Sequence, residues 1–199
     1  MNLFIKGLPE VNNTNYQLEN ANIQTDASDL YRLIPSLKNQ LNIDLNNAGI
    51  LKFSGNAFLD NKDMKITGLL KTSIGEISNK IELKDIYDDL LQFNVKGNLK
   101  SFYPGKLFQI DQLKKTDGSF VVKGDTKGNV DYDALLNSIE FNDYDFRNIA
   151  IKGMLHKNLL ESAVDIDDEN LIAALDAKID FKNKEPKSII NANIFASDL

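Results

Sequence analysis

The chain has 199 residues, 42% hydrophobic and 26% charged, which fits one large or two small domains with a real core. It has no cysteine, one histidine (His156), arginine only at Arg32 and Arg147, and a net charge of −6. Thiol catalysis, zinc–thiolate sites, iron–sulfur clusters and His–His metal motifs are excluded, a Ser-His-Asp relay would need His156, and no basic stripe offers a surface for nucleic acid.

At the start, Met1 to Pro9 holds an apolar patch, Leu3 to Ile5, too short for the core of a signal peptide. No stretch approaches the ~18 apolar residues that a membrane-spanning helix needs. Leu199 follows directly on an alternating run, so both ends read as cuts from a longer polypeptide. A first strand is expected over Tyr16–Ile23. Ser28 or Asp29 is placed to cap a short helix over Leu30–Ile34, which Pro35 would end or bend.

From there strict alternation dominates. Leu51–Leu59 places apolar or small residues at every second position, and Leu91–Leu99, Ile149–Leu155 and Leu175–Phe181 do the same. Successive strand side chains point to opposite faces, so each run has one greasy and one wet face. Weaker alternation marks Met64–Leu70, Ile77–Leu83, Phe120–Gly124, Ser138–Phe141, Ala163–Ile166 and Ile190–Ala196. About eleven strands result, separated by polar turns such as Asp60–Asp63 and Lys182–Pro186. Asp85–Leu91 and Asp131–Ser138 leave room for two further single turns or short helices. The expected class is mainly β: elongated, curved, antiparallel-rich sheet repeats with a few short helices.

Internal matches support a repeat. Gly49–Gly55 aligns with Gly118–Gly124 at an offset of 69, and Leu30–Pro35 with Leu99–Pro104 at the same offset. Ile66–Lys71 aligns with Ile151–His156, and Ala27–Leu30 recurs word for word as Ala196–Leu199. The division expected is a partial first unit with a connecting helix over 1–48, then β-repeat units at 49–117 and 118–199, in one continuous body.

The candidate site is the greasy face: Leu51, Phe53, Ile66, Leu70, Ile81, Leu83, Phe93, Val95, Val122, Ile151, Val164, Ile166, Ile179, Phe181 and Ile194. Alternation alone does not separate an open groove from a closed sandwich core. The absence of Trp and of large covering helices favours the groove, because an exposed apolar face of that length must be filled by something.

Other constellations reduce to ordinary structure. Asp165–Asn170 with Asp176 resembles a calcium loop, but has Asn at the sixth place and Asp at the twelfth, and its flanks alternate like strands, so it reads as an acidic hairpin turn. His156 reads as a solvated strand end. Gly118–Gly128 lacks the Lys-Ser/Thr ending of a phosphate loop. The acidic pairs Asp88/Asp89 and Asp143/Asp145 sit in turn-like settings. No catalytic constellation survives: the expectation is no enzyme, no cofactor and no metal.

The strings Gly118–Gly128, Leu135-Leu136 with Ile139–Phe141, Phe146–Leu155, Ala173–Phe181 and Asn191–Leu199 resemble the large AsmA-like envelope proteins, above all the TamB-type translocation and assembly module proteins of Bacteroidetes-like bacteria. The likeness is best from about 90 to 199. It implies a β-taco, a long sheet with an apolar concave face. It also implies a periplasmic protein anchored in the inner membrane by parts outside this chain. The implied function is a conduit that shelters phospholipid acyl chains on their way between inner and outer membrane, in support of outer-membrane biogenesis. The alternative is a non-enzymatic β-repeat scaffold or chaperone-like module for outer-membrane protein assembly or secretion, whose sheet edges receive strands.

Overall fold

A computed structural model describes residues 1–6, 15–33, 44–183 and 185–198. Its twelve strands are β1 (Asn2–Lys6), β2 (Asn15–Thr25), β3 (Leu51–Asp60), β4 (Asp63–Thr72), β5 (Gly75–Lys84), β6 (Gln92–Phe102), β7 (Leu113–Asp125), β8 (Val130–Phe141), β9 (Tyr144–His156), β10 (Leu159–Asp168), β11 (Leu171–Asp180) and β12 (Lys187–Ser197). They form one sheet whose spatial order is the chain order, with every neighbouring pair antiparallel. The mainly β expectation holds: this is a curved, open meander with β1 and β12 as its edges. Among the described residues two short helices accompany it, α1 (Ala27–Leu33) and α2 (Pro104–Phe108), with a 3₁₀ turn at Leu45–Ala48.

Alternation sets each strand. In β3 the odd positions are covered and the even ones exposed without interruption from Leu51 to Asp60. Tight two-residue hairpins link β3 to β4, β4 to β5, β8 to β9, β9 to β10 and β10 to β11. Asn142 and Asn61 turn with positive φ of 50° and 52°, and Asp143, next to Asn142, has φ 65°. Positive φ at both central residues is the type I′ geometry whose twist matches the flanking strands.

Several expectations are corrected. Asp131–Ser138 is not a helix but most of β8, because pairing with β7 and β9 on both sides outweighs its broken alternation. Asp85–Leu91 forms turns and bends, tied down by Ile86 N–H donating to the Lys62 carbonyl at 3.0 Å. The cap of α1 is Asp26, whose Oδ1 accepts from Asp29 N at 3.0 Å and Ser28 Oγ at 2.6 Å; Ile34 and Pro35 lie outside the described residues. Leu3 to Ile5 are part of β1. The Leu30–Pro35 and Leu99–Pro104 segments are not equivalent: Leu30–Leu33 is helical, whereas Leu99–Phe102 ends β6 and Pro104 opens α2. Phe53 and Val122, matched at offset 69, do share a face. They are displaced along it, since the register carries Phe53 to Gly118 and Ala57 to Val122. The boundary at 117/118 falls inside β7, where its pairing with β8 slips.

Among the described residues only one small core is closed. Ala48, Leu51, Ile74 and Phe102 are buried together at one end of β3–β6, and Leu107 of α2 packs against them. Backbone bonds fasten this cap: Asp44 N to the Leu107 carbonyl at 2.9 Å and Ser73 N to the Ala48 carbonyl at 2.9 Å. Nine apolar side chains among the described residues are buried, four of them alanine, which is far short of a second layer.

Elsewhere the face is closed by rings lying over glycines. A Cβ on Gly97 would come within 2.6 Å of the Phe120 ring directly opposite, and one on Gly124 within 2.7 Å of Phe93. Bulges bend the strands, and side chains of the next strand hold them. Asn20 N donates to Asn56 Oδ1 at 2.9 Å and Ser101 N to Asp117 Oδ1 at 2.7 Å. Asn20, Ser101 and Asn148 all take positive φ inside strands. Beside Asn148, Arg147 N donates to Asp168 Oδ2 at 2.8 Å. Asp168 is 4% exposed, and its Oδ1 accepts from the Tyr144 hydroxyl at 2.6 Å and Asn170 N at 3.0 Å. The acidic hairpin therefore turns one carboxylate inward, which the sequence reading did not expect.

Two measurements check this account. Gly97→Val should destabilise the fold by about 2–3 kcal/mol in urea denaturation, because the Phe120 ring must leave its place; Lys96→Val on the exposed face should stay within about 0.5 kcal/mol. Burial alone would raise the Asp168 carboxyl, but the Tyr144 hydroxyl, the two backbone N–H groups and the Arg147 charge outweigh it and hold it below the usual range. Such a group stabilises the fold above the unfolded value of about 3.9 and loses that contribution as pH falls through its lowered folded value. Asp168→Asn should cost about 1–3 kcal/mol near neutral pH and flatten the acid limb of the stability curve below about pH 4.

Candidate functional site

Directly opposed residues of an antiparallel sheet share a face, so the register assembles the site row by row. One row runs Phe53, Leu70, Ile77, Leu99, Gly118, Leu136, Ile149, Ile166, Ala173, Ile194 from β3 to β12. The next on the same face is Gly55, Gly68, Asn79, Gly97, Phe120, Ala134, Ile151, Val164, Leu175, Ala192. A third is Ala57, Ile66, Ile81, Val95, Val122, Tyr132, Gly153, Ser162, Ala177, Ile190, and a fourth Leu59, Met64, Leu83, Phe93, Gly124, Val130, Leu155, Leu160, Ile179, Ser188. None of these positions carries a charge. Strand spacing makes the strip about 43 Å long across its ten strands.

Thirteen of the fifteen residues singled out from alternation lie in these four rows: Phe53, Ile66, Leu70, Ile81, Leu83, Phe93, Val95, Val122, Ile151, Val164, Ile166, Ile179 and Ile194. Leu51 is drawn into the closed cap and is buried. Phe181 lies just past the end of β11, its N–H donating to the Asn158 carbonyl at 2.8 Å, and stands at the rim, exposed. Register adds members that the sequence reading passed over, among them Ile77, Leu99, Phe120, Leu136, Ile149, Leu160 and Leu175.

From β3 to β11 the large side chains of the strip are buried or half-buried although no second layer lies on them. Their cover is mutual: aromatic rings fold over the glycines of the next strand and branched side chains fill the rows between. The strip holds one unusual polar group. Asn79, flanked in its row by Gly68 and Gly97, keeps a buried Oδ1 that accepts no hydrogen bond. On one flank the strip ends at the Leu51–Ile74–Phe102 cap and, farther along, at the Asp168–Tyr144 network; on the other it ends at the hairpin turns.

The opposite face is polar, with a feature absent from the sequence reading. A cavity of about 680 Å³ opens there over β7–β12, with Val121, Ala163, Met154 and Ile189 in its lining. Charged residues bordering it pair with each other: Lys178 with Glu161 at 2.6 Å and Lys152 with Asp133 at 3.9 Å. The available signal was the apolar doublets Val121-Val122 and Ile189-Ile190, each of which sends one apolar side chain to the wet face. Among the described residues no group of three or more acids and histidines is placed to hold a metal ion, and no helix is long and apolar enough to cross a membrane. Compared with known proteins, the chain matches no family model, no curated protein and no solved structure, so its function is read from its own residues.

Proposed function

We propose that the uncharged face holds phospholipid acyl chains, and that the chain is one section of a periplasm-spanning, TamB- or AsmA-like conduit between inner and outer membrane that supports outer-membrane biogenesis. The observation that carries this reading is the strip itself: four contiguous rows without a charge, running across ten strands and lacking a second layer. Apolar patches of that extent on a protein surface mark contact with a partner or a lipid.

The chemistry is removal of area from water. Each methylene laid on the strip gains about 0.8 kcal/mol. Movement along the strip needs many sites of near-equal affinity, which rows of Ile, Leu, Val and Phe provide and specific polar pockets would not. The Lys, Asp and Asn face keeps the sheet wetted behind its cargo. This function uses no catalytic group and no cofactor. Outer-membrane assembly proteins remain the partner of a second reading, a scaffold whose sheet edges receive strands.

Lipid co-purification and thermal melting separate the two. Phe93, Ile151 and Ile179 lie on the strip; Asn94, Lys152 and Lys178 lie next to them on the wet face. Aspartate at any of the first three places a charge beside acyl chains at a cost of several kcal/mol. The expected result is phospholipid in organic extracts of the parent, about a tenfold loss in these three variants with melting largely kept, and lipid retained in the three controls, whose melting falls only by the local repulsion of the new carboxylate from Glu82, Asp133 or Glu161. A parent free of lipid, with inward variants that unfold outright, would leave the scaffold.

A further inference from the structure

On the wet face the register mostly sets lysine opposite acid. Lys65 faces Glu82, Lys123 faces Asp131, Lys152 faces Asp133 and Lys178 faces Glu161. Lys80 and Lys96, in the middle of β5 and β6, face each other instead. Like charges directly opposed destabilise a strand pair. The same arrangement at Lys52 and Lys71 is relieved by Glu76, which faces Lys71 from β5 and bonds it at 3.0 Å. Lys96 has no such relief. Its other neighbour is Val121, and among the described residues no carboxylate pairs with it. Glu82, on a diagonal from Lys96, is already engaged by Lys80 at 2.8 Å and by the Asn94 amide at 3.1 Å. Lys123, on another diagonal, adds a further cation. On this side β4, β5 and β6 carry six lysines against three acids, in a chain whose net charge is −6.

The opposed pair lines a cavity of about 490 Å³. The row beside it brings Ser78, Asn98 and Ser119 together, each two residues along its strand from Lys80, Lys96 and Val121. Ser78 Oγ accepts from Asn98 Nδ2 at 3.3 Å, which leaves its own proton to donate, and Ser119 brings a second hydroxyl. The far side of the cavity is apolar, made by Val121 and by Leu135, which is more than half exposed. The one acid in the lining, Asp133, is turned to Lys152 at 3.9 Å.

We propose that this cavity binds a small organic phosphate, its phosphate between Lys80 and Lys96 and its organic part on Val121 and Leu135. Opposed Cβ atoms lie about 4.5–5.5 Å apart, so both ammonium groups reach oxygens of one phosphate. Hydrogen bonds between ammonium and phosphate are of the stronger, charge-assisted kind. A monoester dianion cancels the repulsion that the bare pair leaves, and the hydroxyl row serves its remaining oxygen. The uncharged strip lies on the other side of the sheet, so the inference stands whether or not the strip carries lipid.

Titration of the isotope-labelled chain with phenyl phosphate and with inorganic phosphate, at fixed ionic strength and followed by amide shifts, tests it. Both should give saturable shifts centred on Lys80, Lys96 and Ser119, with inorganic phosphate binding about fivefold more weakly for want of the apolar contact. Lys96→Gln should weaken both by about tenfold or more. Melting of that variant without ligand should hold or rise, because the like-charge contact is gone. Lys100→Gln, the same charge change on the same face, should alter affinity by less than about twofold. Leu135→Ser should remove the preference for phenyl phosphate and leave inorganic phosphate binding as it was. Vesicles of phosphatidylcholine with phosphatidic acid carry the same group on a membrane, and the protein should not float with them at about 0.15 M salt. The absence of saturable shifts in β5–β7 overturns the inference. So does an equal loss in Lys96→Gln and Lys100→Gln, or flotation with the vesicles that Lys96→Gln abolishes.

Discussion

A single layer of sheet must find cover for an apolar face that no other layer supplies, and most of this structure answers that constraint. In a two-layer domain the partner sheet or helix brings the missing contacts. Here they come sideways, from the next strand. Phe120 lies over Gly97 and Phe93 over Gly124, so a ring removes from water the backbone that a glycine leaves bare. Such pairs bury apolar area without adding height, and the face stays shallow and free of obstruction. The proposed cargo completes what the protein leaves half-finished.

Curvature comes from the same economy of parts. Bulges at Asn20 and Ser101 and a positive-φ kink at Asn148 each free a backbone N–H in their region. The neighbouring strand supplies an acceptor in each region: Asn56, Asp117 and Asp168. Two of these acceptors are carboxylates, which bind an N–H more strongly than a neutral amide does. Bend and clamp therefore come as a unit, and the end of the strip near β9–β11 is shaped by Asp168, Tyr144 and Asn170 acting together.

The parts that could be read in advance were those with a period. β3, and β6 as far as Leu99, keep their apolar alternation, and their faces were assigned correctly. Only the end of β8, Ser138–Phe141, was expected as a strand, and the rest was missed because Leu135-Leu136 breaks the alternation; Leu135 points to the wet side and is 55% exposed, while Leu136 is buried on the strip. β1 has a neighbour on one side only, and its run Leu3 to Ile5 shows no alternation at all. α2 is a five-residue turn opened by Pro104, and it exists because Gly105 lets the chain pass against Leu113 and Ile110. The inward turn of Asp168 was illegible for another reason. Its partners Tyr144 and Arg147 belong to β9, and only the register brings them alongside.

The strict succession of strands has a consequence for how the molecule comes into being. Every ladder joins segments adjacent in the chain, so each step of assembly closes a short loop and the entropy lost is small. No strand waits for one made much later. A chain threaded through a narrow pore from its first residue can lay down β2, β3 and β4 in turn, each on a finished template, with one open ladder at the growing front. Topologies with such local contacts fold quickly for their β content, and the same molecule pulled from one end would unzip strand by strand rather than break as a whole.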